Sequence, residues 1–524
     1  MDVVLRRGDI ATRPAGAVAL GILEAERVLS GAAAEVDRAS RGAIGSLLKR
    51  RDFRGRALEL AVLYPPGLKA GRLILVGLGR RSELTEQRVR EAAGKAARRA
   101  RELGAGTLAT VVHGAGRGGL DPERATQAVA EGSILGHYRF TAYRSEPGDA
   151  PLRRVEIVEQ EAALARRLAP AAARGARWAE AACLARDLAN TPGQDLTPDG
   201  LASRAREIGR ACGAKVEVLG VPQLERLGMG ALLGVGRGSI HPPRFIVLDR
   251  GPGGSAGASP RAAKGARAPT VVLIGKGVTF DTGGISLKPR ENMHKMKYDK
   301  SGAAAVLGAF AALPSVDPPL RVVGLIPSAE NMPGGRALKP GDVVRAMNGA
   351  TIEVTNTDAE GRLLLADALC FAQRLEPVAV VDLATLTGAI SIALGHLAAG
   401  LFTDDDALAA ELAAAGDAAG ERLWRMPLWD RYAEEMKSDT ADLVNSSVPE
   451  GGAILGAVFL KRFARGMRWA HLDIASTAWS PADRPNEPRG PTGFGVRLLL
   501  EWLSARGAEA SRRAPSARAS ASAP

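Results

Sequence analysis

The 524-residue sequence predicts an α/β protein with two domains and a tail. Short apolar segments alternate with helix-forming segments along most of the chain, which is typical of α/β layers with mainly parallel strands. A nearly continuous run of helix-forming residues over 159–190 separates a first part from a second part that is richer in motifs. We therefore expect a smaller N-terminal α/β domain over 1–170, a larger C-terminal α/β domain over 171–505 and a disordered tail over 506–524.

In the first part, strand-like and helix-like segments follow one another in pairs. The apolar segment 73–76 is closed by Gly77, and the alanine-rich, basic segment 86–103 follows it as a helix. A strand over 107–112 and a helix over 121–133 repeat this order. Strands that alternate with helices in this way indicate βαβ units.

The second part continues the alternation and ends on a helix. We expect helices over 198–212, 301–313, 363–374 and 496–504, and strands over 268–274, 321–326, 352–355, 378–383 and 469–475. Thr197 provides an N-cap for the first of these helices. Ligands of such sheets usually bind at the carboxyl ends of the strands, so the loops there are the first place to look for a site.

The composition is that of an ordinary globular protein. Hydrophobic residues make up 46% and charged residues 24%, which excludes wholesale disorder. Three cysteines in a chain of this length exclude a disulfide scaffold. No segment approaches 18 uncharged apolar residues, and the start of the chain lacks the basic and apolar regions of a secretion signal. We expect a cytoplasmic enzyme with no membrane partner.

The net charge of +13 invites a nucleic-acid interpretation. Segments 250–269 and 505–524 carry +4 and +3 of it, and both are rich in Ala, Gly, Ser and Pro. Such segments bury too little apolar surface to offset their ordering entropy, so we expect a flexible insert and a flexible tail. An electrostatic tether to nucleic acid stays open as the alternative.

One glycine-rich segment resembles a nucleotide-binding motif only superficially. Residues 114–119 match GxGxxG after a strand, but 62 glycines in the chain make chance matches expected. Asp121 and Pro122 also start the helix later than the motif requires. We interpret this segment as a loop.

The strongest functional signal is a set of acids and lysines in three glycine-bounded blocks, each of which follows an apolar strand. The members are Lys276, Asp281 and Lys288 in the first block, Asp299 in the second, and Asp358, Glu360 and Arg362 in the third. A single acid of this kind is usually a helix cap or a surface residue. Within the third block, Asp358, Glu360 and Arg362 can converge on one site, because residues two apart on an extended chain face the same side. Three such blocks together point to function more strongly than any one of them.

Clustered carboxylates repel one another unless cations compensate them, and two bridged divalent ions do so while forming a clamp for hydrolysis. None of the six histidines lies within these ligand stretches. Oxygen ligands suit Mg and Mn as well as Zn. The residues alone therefore predict a dinuclear-metal hydrolase, with a phosphoesterase as an open alternative.

With these motifs the chain resembles the leucyl (cytosol) aminopeptidases, dinuclear-metal peptidases that remove N-terminal residues. Segment 356–363 reads NTDAEGRL, the signature octapeptide of that family, and segments 276–284 and 296–299 match its other metal-binding stretches. The resemblance covers about residues 180–503. It implies a catalytic C-terminal domain with a central mixed sheet flanked by helices.

The resemblance also implies a role for each acid and lysine. Asp281 and Glu360 would bridge two divalent ions, Mn²⁺ or Zn²⁺. Lys276 and Asp299 would complete the tighter site, and Asp358 the more exchangeable one. A lysine ligates only as a neutral amine, so an ordinary cationic Lys276 that pairs with acids stays the alternative.

The remaining roles implied by the resemblance concern the substrate. Lys288 would stabilise the oxyanion, and Arg362 would hold a bicarbonate that acts as general base. Met296, Thr385 and Gly388 would line the pocket for the N-terminal side chain, which favours Leu and other apolar residues.

The family implies a homohexamer that acts on peptides. A DNA-binding accessory role is a further alternative, which the basic charge permits and which we do not predict. Two positions depart from the family pattern: Lys300 stands where Met is usual, and Ser476 where Gly is usual. Segment 250–269 is also longer and more basic than the family leads us to expect.

Overall fold

The computed structural model describes residues 1–519 except 27, 147, 149 and 255–267, and for 117 and 511–519 it describes the backbone alone. The chain forms two compact units. The first unit contains Met1–Cys183 and Pro481–Gly490, and the second contains Leu184–Ser480 and the residues from 491 onward. The division near residue 183 falls inside a long helix, whereas the sequence suggested a change near residue 170.

The first unit is a mainly parallel sheet with helices. Its strands are β1 (Asp2–Arg7), β2 (Ala17–Leu23), β3 (Leu60–Leu63), β4 (Leu73–Gly79), β5 (Thr107–Thr110) and β6 (Arg154–Glu159). Its helices are α1 (Gly31–Ala39), α2 (Ala43–Arg50), α3 (Glu86–Glu102), α4 (Pro122–His137) and α5 (Ala162–Asn190), the last of which continues into the second unit.

The strand order of this sheet is β1-β6-β5-β2-β4-β3, and only the β3–β4 pair is antiparallel among the described strands. Alternate residues of β2 face opposite sides of the sheet. Val18 and Leu20 pack with Val36 of α1, whereas Ala17 and Ala19 pack with alanines of α3. The sheet therefore has helices on both faces.

The second unit is built on a larger mixed sheet and two small ones. The strands of this unit are β7 (Lys215–Leu219), β8 (Arg244–Arg250), β9 (Thr270–Gly275), β10 (Gly277–Asp281), β11 (Arg321–Asn331), β12 (Val343–Arg345), β13 (Thr351–Glu353), β14 (Ala379–Ala384), β15 (Ala399–Phe402), β16 (Leu423–Arg425), β17 (Leu443–Val444), β18 (Trp469–Asp473) and β19 (Trp479–Ser480), and β20 (Gly490–Pro491) follows at the return to this unit. Its helices are α6 (Pro198–Cys212), α7 (Val221–Leu227), α8 (Gly230–Gly236), α9 (Ser301–Ala312), α10 (Gly361–Gln373), α11 (Gly388–Leu394), α12 (Asp406–Ala419), α13 (Gly452–Phe463) and α14 (Val496–Ala519).

The main sheet has the order β16-β15-β18-β14-β9-β11-β8-β7, with β10 paired to β11. The central strands β18, β14, β9 and β11 are parallel, and β15, β8 and β7 introduce antiparallel pairs on both sides. Helices α8, α10 and α13 pack in one core cluster with Val272 and Ile274 of β9. On the other face, Gly324 of β11 leaves room for Phe310 of α9. The predicted two-domain α/β architecture with a mixed sheet is confirmed.

Several predicted elements have the bounds that their caps indicate. Helix α6 begins after Thr197, whose Oγ1 accepts a hydrogen bond from Gly200 N at 3.2 Å. It ends at Cys212 and is capped by Gly213, which has φ +75°. A proline in the first turn and a glycine after the last turn allow these boundaries to be predicted from the sequence.

Parts of the insert over 250–269 and of the tail over 506–524 have regular secondary structure, which the sequence did not predict. Helix α14 continues through Ala519, so the predicted disordered tail over 506–524 is helical up to that residue. Its composition of Ala, Arg and Glu also favours helix, and Arg506 pairs with Glu411 at 2.6 Å. In the insert, Arg250 belongs to β8, and residues 255–267 lie outside the described residues.

None of the described helices combines the length and the apolar character needed to cross a membrane.

Candidate active site

The second unit gathers the predicted acids and lysines at the carboxyl ends of its central strands. Lys276 follows β9 directly, Asp281 is the last residue of β10, and Thr385 follows β14. Asp299 and Glu360 lie immediately before or next to the starts of α9 and α10. Parallel strands thus deliver these side chains to one edge of the sheet, as such folds commonly do.

Lys276 occupies the buried centre of this cluster. Its Nζ lies 2.8 Å from Asp299 Oδ1 and 2.8 Å from Glu360 Oε1. It also donates a hydrogen bond to the carbonyl oxygen of Thr385 at 2.8 Å. Burial disfavours the charged amine, but Asp299, Glu360 and Asp281 outweigh it and raise the pKa of Lys276 above its ordinary value.

Lys288 pairs with the other two acids. Its Nζ lies 2.8 Å from Asp281 Oδ2 and contacts Asp358 Oδ1 closely. Burial again opposes the charge, and the neighbouring carboxylates raise the pKa of Lys288 despite it. Asp281 is fixed from its other side, because its Oδ1 accepts hydrogen bonds from Gly283 N and Asn331 Nδ2, both at 2.8 Å.

The cluster holds more negative than positive charge. One carboxylate oxygen from each of Asp281, Asp358 and Glu360 lies within 4.8 Å of the others. Burial raises the pKa values of Asp299, Asp358 and Glu360 above their ordinary values, although the lysines oppose this. With Asp299, the four carboxylates face two ammonium groups.

Two further observations fit a cation site. Asp299 Oδ2 is buried and has no hydrogen-bond partner in the described part of the chain. A buried carboxylate oxygen without a partner is costly unless a cation approaches it. The oxygen donors and the unmatched negative charge therefore fit divalent cations, which hard oxygen ligands bind well.

Glycines allow the close approach of the segments that form the cluster. A Cβ at Gly361 would lie 2.7 Å from Lys276 Nζ. Gly284, with φ +68°, lies in the same way against Asn331 and Thr357. Thr357 Oγ1 donates to Gly283 O at 2.6 Å and accepts from Ser286 N at 2.8 Å, so the third block locks the loop of the first.

Arg362 lies in the first turn of α10, two residues after Glu360. Its Nη1 donates to Asn445 O at 2.7 Å, and its buried Nε has no partner among the described residues. Burial lowers the pKa of Arg362 to about 10, while Glu360 and Asp473 oppose the shift. The structure shows no ion pair between Arg362 and the acids within the described residues.

The three predicted pocket residues have different surroundings. Thr385 belongs to the cluster, because its Oγ1 donates to Asp299 Oδ1 at 2.8 Å. Met296 is half-buried in the turn that leads to Asp299, whose N donates to Met296 O at 3.3 Å. Gly388 is exposed at the start of α11, with no atom within 4 Å of a Cβ built on it.

Two models of one protein family match this chain. The family model described as "Cytosol aminopeptidase family, catalytic domain" matches residues 183–500, and the model of the N-terminal domain of the same family matches residues 19–147. The chain belongs to the cytosol aminopeptidase family. This aminopeptidase thus carries the cluster in the part of the chain that the catalytic-domain model matches.

Curated relatives extend the similarity over nearly the full length. A probable cytosol aminopeptidase of Geobacter sulfurreducens is 46% identical over 510 residues, which are 96% of this chain and 99% of the relative. One of Roseiflexus castenholzii is 46% identical over 507 residues, with the same two coverages.

Two solved structures show the same fold. The bottromycin maturation enzyme BotP in complex with Mn superposes with a TM-score of 0.82 at 41% identity, covering 94% of this chain and 100% of that one. A variant of tomato leucine aminopeptidase gives a TM-score of 0.84 at 34% identity, covering 96% of both chains.

The structure adds residues to the aminopeptidase site that sequence reasoning did not assign. Asn331 holds Asp281 and also donates to Thr357 O at 3.0 Å. Asn445 donates to Asn356 O at 2.7 Å and accepts from Arg362 through its carbonyl. Asn331 ends a buried strand beside β10, which is a usable signal. Asn445 lies far along the chain and gave none.

Lys300, which departs from the family pattern, does not join the acids. It is fully buried, and its Nζ donates to the carbonyl oxygens of Lys297 at 2.7 Å and Thr191 at 2.8 Å. Burial lowers the pKa of Lys300 to about 7. Its side chain therefore ties together the backbone segments behind Asp299.

Proposed function

We propose that this aminopeptidase removes N-terminal amino acids, preferably Leu and other apolar residues, with the help of two divalent cations. The observation that carries the proposal is the cluster itself, in which four carboxylates outnumber the two lysines that neutralise them. Two cations, when bound, would polarise the scissile carbonyl and lower the pKa of a water. Mn²⁺ or Zn²⁺ is the expected metal.

The acids would hold these cations in two overlapping sets. Asp281 and Glu360 would contact both cations. Each has a carboxylate oxygen within 4.8 Å of one of Asp358, and Lys276 pairs with both Glu360 and Asp299. Asp299 and Lys276 would complete the tighter site, and the unpartnered Oδ2 of Asp299 supports that role. Asp358, the most exposed of the four acids, would complete the exchangeable site.

The two other charged residues would act on the substrate. Lys288 keeps its proton because carboxylates surround it, so it can donate to the oxygen that becomes negative during hydrolysis. Arg362 has a buried Nε without a described partner, and a guanidinium fork suits a planar oxyanion such as bicarbonate. Such a bicarbonate would accept the proton of the attacking water.

The preference for an apolar N-terminal residue rests on Met296, Thr385 and Gly388. The open space at Gly388 supports a pocket entrance there. Met296 would offer an adaptable apolar wall to side chains such as Leu and Met. A leucine aminopeptidase from tomato among the similar structures supports the same preference.

Assembly and location complete the proposal. We expect a homohexamer, and we expect it in the cytoplasm; the word "cytosol" in the names of the relatives supports the location. Exposed apolar side chains of the second unit, such as Ile392 at 90% and Leu397 at 74%, would suit burial between subunits. Light scattering that gives the mass of a single chain would contradict the hexamer. Binding of DNA stays outside the proposal.

Substrate class is the property to test first. Leucine p-nitroanilide, its N-acetyl derivative and bis(p-nitrophenyl) phosphate should be offered to metal-stripped protein with Mn²⁺, Zn²⁺ or Mg²⁺ added. We expect hydrolysis of the free-amine anilide alone. Equal hydrolysis of the acetylated anilide would refute an aminopeptidase activity, and hydrolysis of the phosphodiester alone would favour the phosphoesterase alternative.

A further inference from the structure

The first unit contains a cavity that the peptidase chemistry does not use. Its volume is about 650 Å³, within the range of small-molecule sites. All residues that line it belong to the first unit, whereas the acids and lysines of the peptidase cluster belong to the second. The cavity therefore requires its own explanation.

The cavity lies where the topology of the sheet predicts a ligand. Strands β2 and β5 are parallel neighbours, but the helices that follow them pack on opposite faces. Val36 of α1 packs with Leu20 on one face, and Ala128 of α4 packs with Ile157 on the other. Such a reversal opens a crevice at the carboxyl ends of the strands, which is the usual binding position in open α/β sheets.

The floor of the crevice is a hydrogen-bonded chain between these two strands. Gly21 N donates to His113 Nδ1 at 3.2 Å, and His113 Nε2 lies 3.0 Å from Thr110 Oγ1. Thr110 Oγ1 in turn donates to Ala19 O at 3.1 Å, so Nε2 carries the proton. Burial lowers the pKa of His113 to about 4. The floor is thus rigid and uncharged at neutral pH.

The walls are apolar and the charged groups are acidic. Ile10, Leu20, Leu78 and Leu168 contribute aliphatic surface. Glu26, Glu35 and Glu159 also line the cavity, and its described lining residues include no lysine or arginine. Gln160, next to Glu159, donates to Glu35 Oε2 at 2.6 Å, which brings the segments that carry these two acids together.

A phosphate ligand does not suit this cavity, although a glycine-rich loop and the start of α4 border it. The helix begins with Pro122, which has no N–H. Its N-cap Asp121 already accepts a hydrogen bond from Arg124 N at 2.9 Å. The helix start therefore offers fewer free N–H donors to an anion than usual, and the three glutamates would repel an anion.

We propose that the cavity binds a small organic amine, with its ammonium group between Glu35 and Glu159 and its apolar body against the aliphatic walls. A cation between two carboxylates relieves their repulsion. The apolar body gains the burial that the walls offer. This site shares no residue with the peptidase cluster.

Isothermal titration of the full chain with 3-methylbutylamine tests the proposal. The matched probes are 3-methylbutanol, which is isosteric with the amine, and 4-methylpentanoate; both keep the apolar body and change the charge. At the cavity we expect one amine per chain, weaker binding of the alcohol and no binding of the carboxylate. The double variant Glu35→Gln, Glu159→Gln should weaken the amine by about tenfold or more, since both substitutions remove the charge that holds it.

Two controls separate the cavity from the peptidase site, where an amine could also bind. Ala33→Trp fills the cavity from α1, and Glu360→Gln alters the peptidase cluster; thermal unfolding checks that each variant is folded. The heat of 3-methylbutylamine binding should disappear in Ala33→Trp and persist in Glu360→Gln. The opposite pattern, equal binding of the carboxylate, or no binding of the amine at about 10 mM would overturn the proposal.

Discussion

At the scale of single residues, two roles are open to Lys276: it is either a ligand of a metal ion or a counter-charge for the acids. An ammonium has three donors and no lone pair. In this structure the amine faces Asp299, Glu360 and the carbonyl oxygen of Thr385, which together can use all three donors. A role as metal ligand therefore requires that an incoming cation displaces a proton, and a role as counter-charge does not.

Lys276→Arg separates these roles, because Arg keeps its charge and cannot ligate. If Lys276 is a ligand, the variant loses the tighter metal and nearly all turnover, which metal analysis and leucine p-nitroanilide assays measure. Because Gly361 lies close to the amine of Lys276, the larger arginine side chain has little room there. Thermal unfolding of the variant checks that it is still stably folded. Two bound metals and normal turnover in the variant would make Lys276 a charge partner.

Glu360→Gln keeps the shape of the side chain and removes one negative charge. Glu360 is buried and pairs with Lys276. The neutral amide should therefore weaken both the binding of the metal ions and the interaction with Lys276. We expect lower metal occupancy and a fall in turnover by about two orders of magnitude or more, while the fold survives. Near-normal turnover with two metals would show that Glu360 has no bridging role.

At the scale of elements, the histidine between β2 and β5 gives the first unit a pH dependence. The pKa of His113 is about 4 in the folded chain and the ordinary value is 6.5. Between these values the unfolded chain binds the proton and the folded chain does not. The free energy of unfolding should therefore fall as the pH drops from about 6.5 to 4, by up to about 3 kcal/mol.

Denaturant unfolding at a series of pH values measures this loss. His113→Asn, whose amide oxygen can still accept from Gly21 N, is the matched control and should show a smaller slope. His137, whose burial also lowers its pKa to about 4, leaves a residual slope in the variant. Identical slopes in both proteins would remove His113 as the cause.

The end of α14 supports a different prediction. Arg506 is the last described basic side chain there and pairs with Glu411, and Gly507 lies against Pro318. Deletion of 511–524 should leave peptidase activity within about twofold and stability unchanged. Deletion from 506 should cost about 1 kcal/mol more, because it removes the pair. A collapse of activity in the shorter deletion would show that the end of the helix has a role.

Elements with local signals could be predicted from the sequence, and others could not. Helix α6 has a capping threonine, a proline at its start and a glycine at its end. Strand β10 is absent from the strands expected from the sequence, because the glycines and polar residues of its block hide a buried strand. Alanine-rich ends such as that of α14 fit both a helix and a disordered tail, so composition alone did not decide.

At the scale of the whole molecule, the acids and lysines were predictable because each block carries its own glycine and strand signals. The support from Asn445 was not predictable, because this residue reaches the site only through the tertiary fold. The same holds for residues 481–490, which return to the first unit. Nothing in their composition indicates that return.

Metal titration tests the central claim, that the carboxylate cluster works by holding two cations. Stripped protein should be assayed with leucine p-nitroanilide while Mn²⁺ is added in known equivalents per chain, with bound metal measured in the same samples. We predict no turnover without metal and full turnover when two ions are bound per chain. Full turnover in metal-free protein, or with a single bound ion, would contradict the account.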